Sequence, residues 1–417
     1  MHTAPPPIPD RAPMVLAGRA RRAARWILAV GAAGIAAGLL LDAVASRVAG
    51  DSALAGALRP LATDRAWPNL LLAAYYLLGL GLAGGIFLAT QYITQAGWSV
   101  AVRRVAEAMT ALLPLAALGM IFIALGAHRV YEWSHTDVVA ADPLLQKKSA
   151  WLNSGFFLAR TVVYVVIWTL LIRALVASSR RQDADGQIRW TLKNVRLSAF
   201  FLVVFAVTFT AASFDWIMSL DPHWFSTVFA VYHFAGLFLS GLAALTFLVI
   251  LMRRAGPLAG IASDDHLHDL GKLVFGFSTF WAYIWYSQYM LIWYTNIPEE
   301  TSYYLLRHTG AWGPLAVANL CLNWVIPFLV LLPRAAKRSE KVLLVVAGVL
   351  LVGRWLDLYL MILPPFAHGS PVFGIWEGCT LLVVPTAFLL VVLAAFSRAR
   401  AVPARDPFLE ESLNHHI

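Results

Sequence analysis

The sequence predicts an all-α, polytopic membrane protein of about ten transmembrane helices, and three observations carry that prediction. Of 417 residues, 60% are hydrophobic and only 13% are charged, whereas soluble domains carry roughly a quarter charged residues. Apolar runs of about 20 residues, each long enough to cross a ~30 Å hydrocarbon layer as a helix, recur along the chain. No polar interdomain linker breaks the series, which excludes an ordinary soluble enzyme.

The runs fall at about 26–46, 69–93, 106–127, 153–177, 197–219, 227–251, 270–293, 311–332, 342–362 and 373–396, bounded by charged residues or by Pro and Gly. Before the first lies a basic segment, residues 1–25, holding Pro5, Pro6 and Pro7 and then Arg11, Arg19, Arg21, Arg22 and Arg25. It resembles a secretion signal, but no small-residue cleavage site follows Leu41, so the first run is expected to be a retained span. With its outer loop it occupies residues 26–66. Residues 398–417 form a polar C-terminal tail.

Lys and Arg in short loops are retained on the cytoplasmic side during insertion. On this arrangement 23 of the 32 basic residues share one side and 7 the other, while Arg160 and Arg354 lie within spans. Both termini are therefore expected in the cytoplasm. The net charge of +9 follows from topology, and nothing in it indicates nucleic-acid binding.

Two stretches read as distant copies. The fifth span ends Phe214-Asp215-Trp216-Ile217-Met218 before Pro222, and the ninth ends Leu356-Asp357-Leu358-Tyr359-Leu360-Met361 before Pro364. An outer loop leads to Trp151 at the head of the fourth span, and another leads to Trp312 at the head of the eighth. The match predicts two four-helix bundles, spans 2–5 (residues 67–222) and 6–9 (223–366), with the first span and the tenth (367–397) peripheral. Each bundle holds an even number of spans, so the copies form a parallel repeat.

A charge in hydrocarbon costs about 2.5–3.5 kcal/mol on insertion scales, so each buried charge suggests a function and a partner. Arg160, Asp215, Arg354, Asp357 and Glu377 all fall five to eight residues from the outer surface, a depth of roughly 7–12 Å. His233 joins this layer, as do Tyr75, Tyr76, Tyr286 and Tyr289. Arg354 and Asp357 share a helix face at i,i+3, and Arg160 and Asp215 come from antiparallel neighbours at matching depth. Such a layer can accept protons or bind a quinone head group. The bland alternative is mutual neutralisation that holds the helices together.

The cytoplasmic half reads as poorer in ionisable groups, with Thr90, Gln91, Thr94, Ser240, Ser278 and Tyr283 as hydroxyl and amide candidates for a water chain. His268, Asp269 and Lys272 mark the inner mouth of the seventh span, where a solvated loop with Asp269 near the helix N-cap is expected rather than a metal site. Cys321 and Cys379 lie inside apolar runs and form no metal or haem-attachment motif. His233 is the one histidine inside a span, which leaves no opposed pair for membrane haem. No metal and no redox cofactor is expected on this chain.

At this point a family resemblance enters. Asp215-Trp216-Ile217-Met218-Ser219-Leu220-Asp221-Pro222-His223-Trp224-Phe225-Ser226-Thr227, His268-Asp269-Leu270-Gly271-Lys272, Trp281-Ala282-Tyr283, Ser287-Gln288-Tyr289, Ile292-Trp293-Tyr294 and Asn296-Ile297-Pro298-Glu299-Glu300-Thr301 closely resemble the ActF subunit family of bacterial alternative complex III. The tail Asp406-Pro407-Phe408-Leu409-Glu410-Glu411-Ser412-Leu413 resembles it as well. The resemblance runs from about residue 70 to the end. It implies the NrfD-like, polysulfide-reductase-like membrane fold of two four-helix bundles and two flanking helices, and a place in a bacterial inner-membrane, respiratory quinol-oxidising complex. Menaquinol or ubiquinol would be the reductant, with haem c and iron-sulfur clusters on partner subunits. Those partners would include the paralogous membrane subunit ActC and a terminal oxidase.

The function expected is therefore a membrane subunit without redox centres, contributing a quinol-proximal or proton-conducting network. Arg160, Asp215, His233, Arg354, Asp357 and Glu377 are its first candidates, and Tyr76, Asp221, His268, Asp269, Lys272, Tyr283 and Tyr289 its second. Two other classes compete: a stand-alone secondary transporter, whose substrate would sit at the midplane between repeats, and a purely structural membrane anchor.

Overall fold

A computed structural model describes residues 12–13, 15–45, 65–367 and 369–416. The N-terminal segment up to Arg11 and the loop at 46–64, both assigned places in the sequence reading, lie outside the described residues. The chain is an integral membrane protein whose described residues form ten long helices and no strand. They are α1 Gly18–Ala45, α2 Ala66–Ile93, α3 Gly97–Leu125, α4 Ser154–Asp185, α5 Arg189–Trp216, α6 Phe229–Ala255, α7 Asp264–Thr295, α8 Gly310–Leu331, α9 Glu340–Ile362 and α10 Ile375–Phe396. Nine of the described helices meet the length and hydropathy of a membrane span. The tenth, α7, has the length, 32 residues, but its middle is rich in Trp, Tyr, Ser and Gln.

Two rings of four helices form the body. In the first, α2 packs on α3, α3 on α4, α4 on α5 and α5 back on α2; in the second, α6 packs on α7, α7 on α8, α8 on α9 and α9 back on α6. The rings meet along α2 and α6, the two most deeply buried spans. Helices α1 and α10 pair with each other and rest on the first ring through α10. The order of neighbours is the same in both rings, as a duplicated bundle requires.

The close approach of α2 to its neighbours rests on small residues. A Cβ at Gly84 would lie 2.6 Å from the backbone oxygen of Ala106 on α3, so only glycine lets these helices touch there. The loop end holds residues 126–153 and 296–309. The opposite, basic end holds most of the Lys and Arg side chains.

At the loop end, side chains from the connecting segments cap carbonyls at the ends of α5 and α9. In the first ring Tyr131 Oη donates to Trp216 O at 2.9 Å and Trp133 Nε1 to Ser219 O at 3.1 Å. In the second, Arg307 donates through Nε to Leu360 O at 3.0 Å and through Nη2 to Met361 O at 3.2 Å. The last carbonyls of a helix have no partner within it and need such donors when buried. Arg307, counted in the sequence as an outer-surface charge, is 4% exposed for this reason.

The basic end departs most from expectation. The third span begins at Gly97 and not near 106, so Arg103, Arg104 and Glu107 are helical and buried at 4%, 2% and 2% exposure. Arg104 pairs with Glu107 and Asp183, and Glu107 also accepts from Ser179 Oγ at 2.6 Å. Arg103 pairs with Asp406 of the C-terminal tail. The tail lies on the protein surface of both rings: Ser412 Oγ donates to Trp98 O at 2.7 Å, and His415 Nε2 meets Asp269 at 2.6 Å.

Gly84→Val should separate α2 from α3 and lower stability by roughly 1–3 kcal/mol, the usual cost of overpacking. Thermal unfolding in detergent checks this; the matched change Gly348→Val, where a Cβ would meet nothing within 4 Å, should leave the transition in place.

Candidate functional site

The two aspartates near the ends of α5 and α9 have different surroundings, and the difference decides what each can do. Asp215 is 1% exposed. Arg160 on α4 meets it with two parallel bonds, Nε to Oδ2 at 2.8 Å and Nη2 to Oδ1 at 2.9 Å. Tyr164, one turn along the same helix face, donates to Oδ2 at 2.9 Å, and Trp151 Nε1 donates to Oδ1 at 2.8 Å. The Arg160 guanidinium also lies 4.2 Å from the Trp151 ring centre, a favourable cation-π contact. Each carboxylate oxygen therefore accepts two bonds, which fills the roughly four acceptor positions a carboxylate has. A cleft of about 580 Å³ lies beside it, walled by Leu144, Leu152, Phe214, Met218 and Phe225. Its size suits an organic ring, but Asp215 has no acceptor position left for a ligand.

Asp357 on α9 is also 1% exposed. Tyr232 Oη from α6 donates to Oδ1 at 2.5 Å and Asn319 Nδ2 from α8 at 3.0 Å. Arg354, one turn earlier on α9, gives Oδ2 a single bond through Nη1 at 2.5 Å. The guanidinium reaches this place because Gly236 on α6 has no side chain: a Cβ there would come within 2.9 Å of Arg354 Cζ.

Asp357, Tyr232, Asn319 and Gln288 line a cavity of about 30 Å³. That is room for one or two waters, not for a quinone ring. Gln288 is 2% exposed, and its Oε1 is buried with no hydrogen-bond partner. Toward the loop end the cavity is walled by Tyr303, Tyr304, Arg307 and His308.

A second polar line supports the aspartate from the other direction. Asn323 Nδ2 donates to Asn319 Oδ1 at 2.7 Å, and Ser278 on α7 donates to Asn323 O at 2.6 Å. Asn323 sits in a single π turn, Cys321–Val325, a distortion common at functional positions. Neither asparagine was among the sequence candidates. The signal was present, since two amides four residues apart inside an apolar run share one helix face.

His233 on α6 lies between the two aspartates. Its Nδ1 is 3.0 Å from Tyr75 Oη, while Nε2 is buried without a partner. Tyr75 meets Trp216 edge-on at 6.1 Å, and Tyr232, beside His233 in sequence, holds Asp357. Tyr76 is used elsewhere, donating to Leu351 O at 2.6 Å and tying α2 to α9.

Glu377 stands apart from this group. It accepts from Arg65 Nη1 at 3.2 Å, Asn69 Nδ2 at 2.9 Å and the backbone N–H of Gly374 at 2.8 Å, which locks the start of α10 to the start of α2. Asp221 is half-buried in the turn after α5. Asp269 pairs with Lys272 at 2.5 Å at the basic end, and His268 is buried there. The N-cap of α7 is Ser263, not Asp269, because the helix starts two turns earlier than its apolar run. Tyr289 is half-buried and stacks on Trp285, whereas Tyr283 is 64% exposed and faces away from the bundle. Thr90, Thr94 and Ser240 donate to carbonyls of their own helices. They build no chain between helices. Among the described residues no three His, Cys, Asp or Glu side chains are grouped to hold a metal ion.

No family model matches the chain, and no curated protein matches it. The geometry of the two aspartates therefore carries the functional reading.

At the loop end, burial pushes His308 down to about 4, with the Arg307 guanidinium adding to the effect. It is a neutral imidazole at neutral pH. An unfolded histidine titrates near 6.5, so between that pH and about 4 the unfolded chain binds the extra proton and stability falls as pH falls. His308→Gln should flatten this acid-side loss of the unfolding temperature and leave values above pH 7 little changed, as read by thermal unfolding across pH 4–8.

Arg160→Ala should cost about 3–5 kcal/mol by leaving Asp215 buried and unpaired, while Arg160→Met with Asp215→Leu should recover most of it. Unfolding of the single and double variants in detergent tests that the pair is structural; recovery absent in the double variant would contradict it.

Proposed function

We propose that this chain is a membrane subunit of a bacterial respiratory complex that oxidises quinol, the alternative complex III assembly, and that it takes part through proton transfer at Asp357. The likeness of residues 215–227, 268–272, 281–283, 287–289, 292–294, 296–301 and 406–413 to the ActF subunits supports membership. The single observation that supports the proton role is the Asp357 cavity: a buried carboxylate with one under-bonded oxygen, beside a space of water size and an unpartnered amide. Electrons would travel on partner subunits, and the loop end would face the outside on the distribution of Lys and Arg.

In this reading the Asp357 carboxylate accepts a proton from a water in the cavity and returns it toward the loop end. Tyr232 and Asn319 hold Oδ1 and fix the direction in which Oδ2 points. His233, beside Tyr232 in sequence, has a buried Nε2 without a partner. Asp215, with all acceptor positions filled, serves as the anchor of the first ring, which is where the structural reading fits best.

Asp357→Asn keeps the shape and removes the acid. Quinol:acceptor turnover or proton release of the purified complex should fall tenfold or more, equal to about 1.4 kcal/mol of barrier, with subunit composition unchanged. Intact assembly with unchanged turnover and proton release would overturn the reading.

A further inference from the structure

The outward face of α7 differs from the outward face of the other spans. Where α3, α4 and α5 face away from the protein they present Leu115, Leu118 and Phe122, Val162, Val166 and Leu170, and Val203 and Val207, all exposed, as lipid contact requires. On α7 Asp264, Leu291, Tyr294 and Thr295 are exposed toward the two ends, and the remaining exposed positions are Lys272, Gly276, Thr279, Tyr283, Tyr286, Met290 and Trp293. They recur at alternating four- and three-residue steps, which traces one straight seam along the helix. The same composition keeps α7 below the hydropathy of the other spans.

Two of these side chains carry a hydrogen-bonding demand that lipid does not meet. Tyr283 and Tyr286 are 64% and 57% exposed, and neither hydroxyl has a partner among the described residues. At 1.5 Å per residue they lie about 5 and 10 Å from the midpoint of the 32-residue helix, inside the ~15 Å half-thickness of a hydrocarbon layer. Helical side chains lean toward the N-terminus of their helix, here the basic end, so both hydroxyls lean toward the midplane and not out of it. Thr279 Oγ1 has turned back onto Phe275 O at 3.1 Å. The phenols have no such recourse.

From this we infer that the α7 seam is the docking face for a membrane-spanning helix of a different polypeptide, one that offers hydrogen-bond acceptors opposite Tyr283 and Tyr286. The seam is a wedge. A Cβ at Gly276 would meet nothing within 4 Å, so a neighbouring backbone can approach closely there, and bulk rises through Thr279 to Tyr283, Tyr286 and Trp293. Two copies packed on a parallel two-fold axis would double the wedge and splay apart at the loop end. A partner helix with large residues opposite Gly276 and small or polar ones opposite the tyrosines fills it. In membranes, where apolar surface alone gives helices no reason to associate, such packing and interhelical hydrogen bonds are the driving terms.

The inference needs only that the chain spans a membrane, so it stands or falls separately from the role of Asp357. The test is photo-cross-linking in native membranes from Tyr283→p-benzoylphenylalanine and Tyr286→p-benzoylphenylalanine, with Leu118→p-benzoylphenylalanine and Val203→p-benzoylphenylalanine as lipid-facing controls. Both seam positions should cross-link to one apolar segment of a single other protein, with an Asn, Gln, Ser, Thr, His or acidic residue within a helical turn of the adduct. The controls should yield lipid adducts. Adding Gly276→Trp, on a surface where it disturbs no internal packing, should cut the protein adduct fivefold or more. Lipid adducts alone from the seam, adducts to a second copy of this chain, a partner segment without acceptors, or a yield unchanged by Gly276→Trp would each overturn the inference.

Discussion

A carboxylate inside an apolar helix bundle must be met by donors, and much of this structure is arranged around that requirement. Asp215 draws Arg160 and Tyr164 from α4 and Trp151 from the connection before it. Those bonds fix the register of α4 against α5 and seat the segment that leads into α4. Glu377 does the same for α10 against α2 through Arg65 and Asn69. At the other end, Arg103 and Arg104 impose the reverse demand, met by Asp406, Glu107 and Asp183. Removing one member of such a pair leaves a charge with neither water nor partner, so each pair constrains two helices at once.

The two rings satisfy this requirement in different ways although their helices follow the same order. In the first ring the arginine comes from the neighbouring helix and meets Asp215 side-on through Nε and Nη2, so both oxygens are used. In the second it comes from one turn earlier on α9 itself and reaches one oxygen. Pairing along a single helix leaves the far side of Asp357 open to the middle of the ring, where the small cavity lies. Two rings of the same helix order thus hold one closed ion pair and one open one.

Much of this was legible in the sequence, for reasons that can be named. Apolar runs set by the width of a bilayer located all ten long helices, and the residue pairs Arg160–Asp215 and Arg354–Asp357 followed from depth and from i,i+3 spacing. The failures share a cause: hydropathy finds where lipid is displaced, not where a helix begins. Gly97–Leu125 opens with two arginines, Arg103 and Arg104, that the apolar run beginning near 106 left in a loop, so the basic end read as poor in buried charge. The tail was read only as a cytoplasmic segment because its partners, Arg103 and Asp269, lie 303 and 146 residues away in sequence. Glu377 was grouped with the aspartates because depth along a helix was available and direction around it was not.

Direction around the helix also separates the tyrosines. Tyr75 and Tyr76 point into the body and each finds a hydrogen-bond partner, while Tyr286, of the same chemistry and placed in the same layer, points out. Depth alone made them equivalent. A hydroxyl at that depth costs the same wherever it points, so the inward ones are explained by this chain and the outward one has to be explained by something beside it. The polar character of α7 is then not a weak membrane span but a divided one, with its inner face bonded to α8 through Ser278 and its outer face carrying donors that this chain does not satisfy.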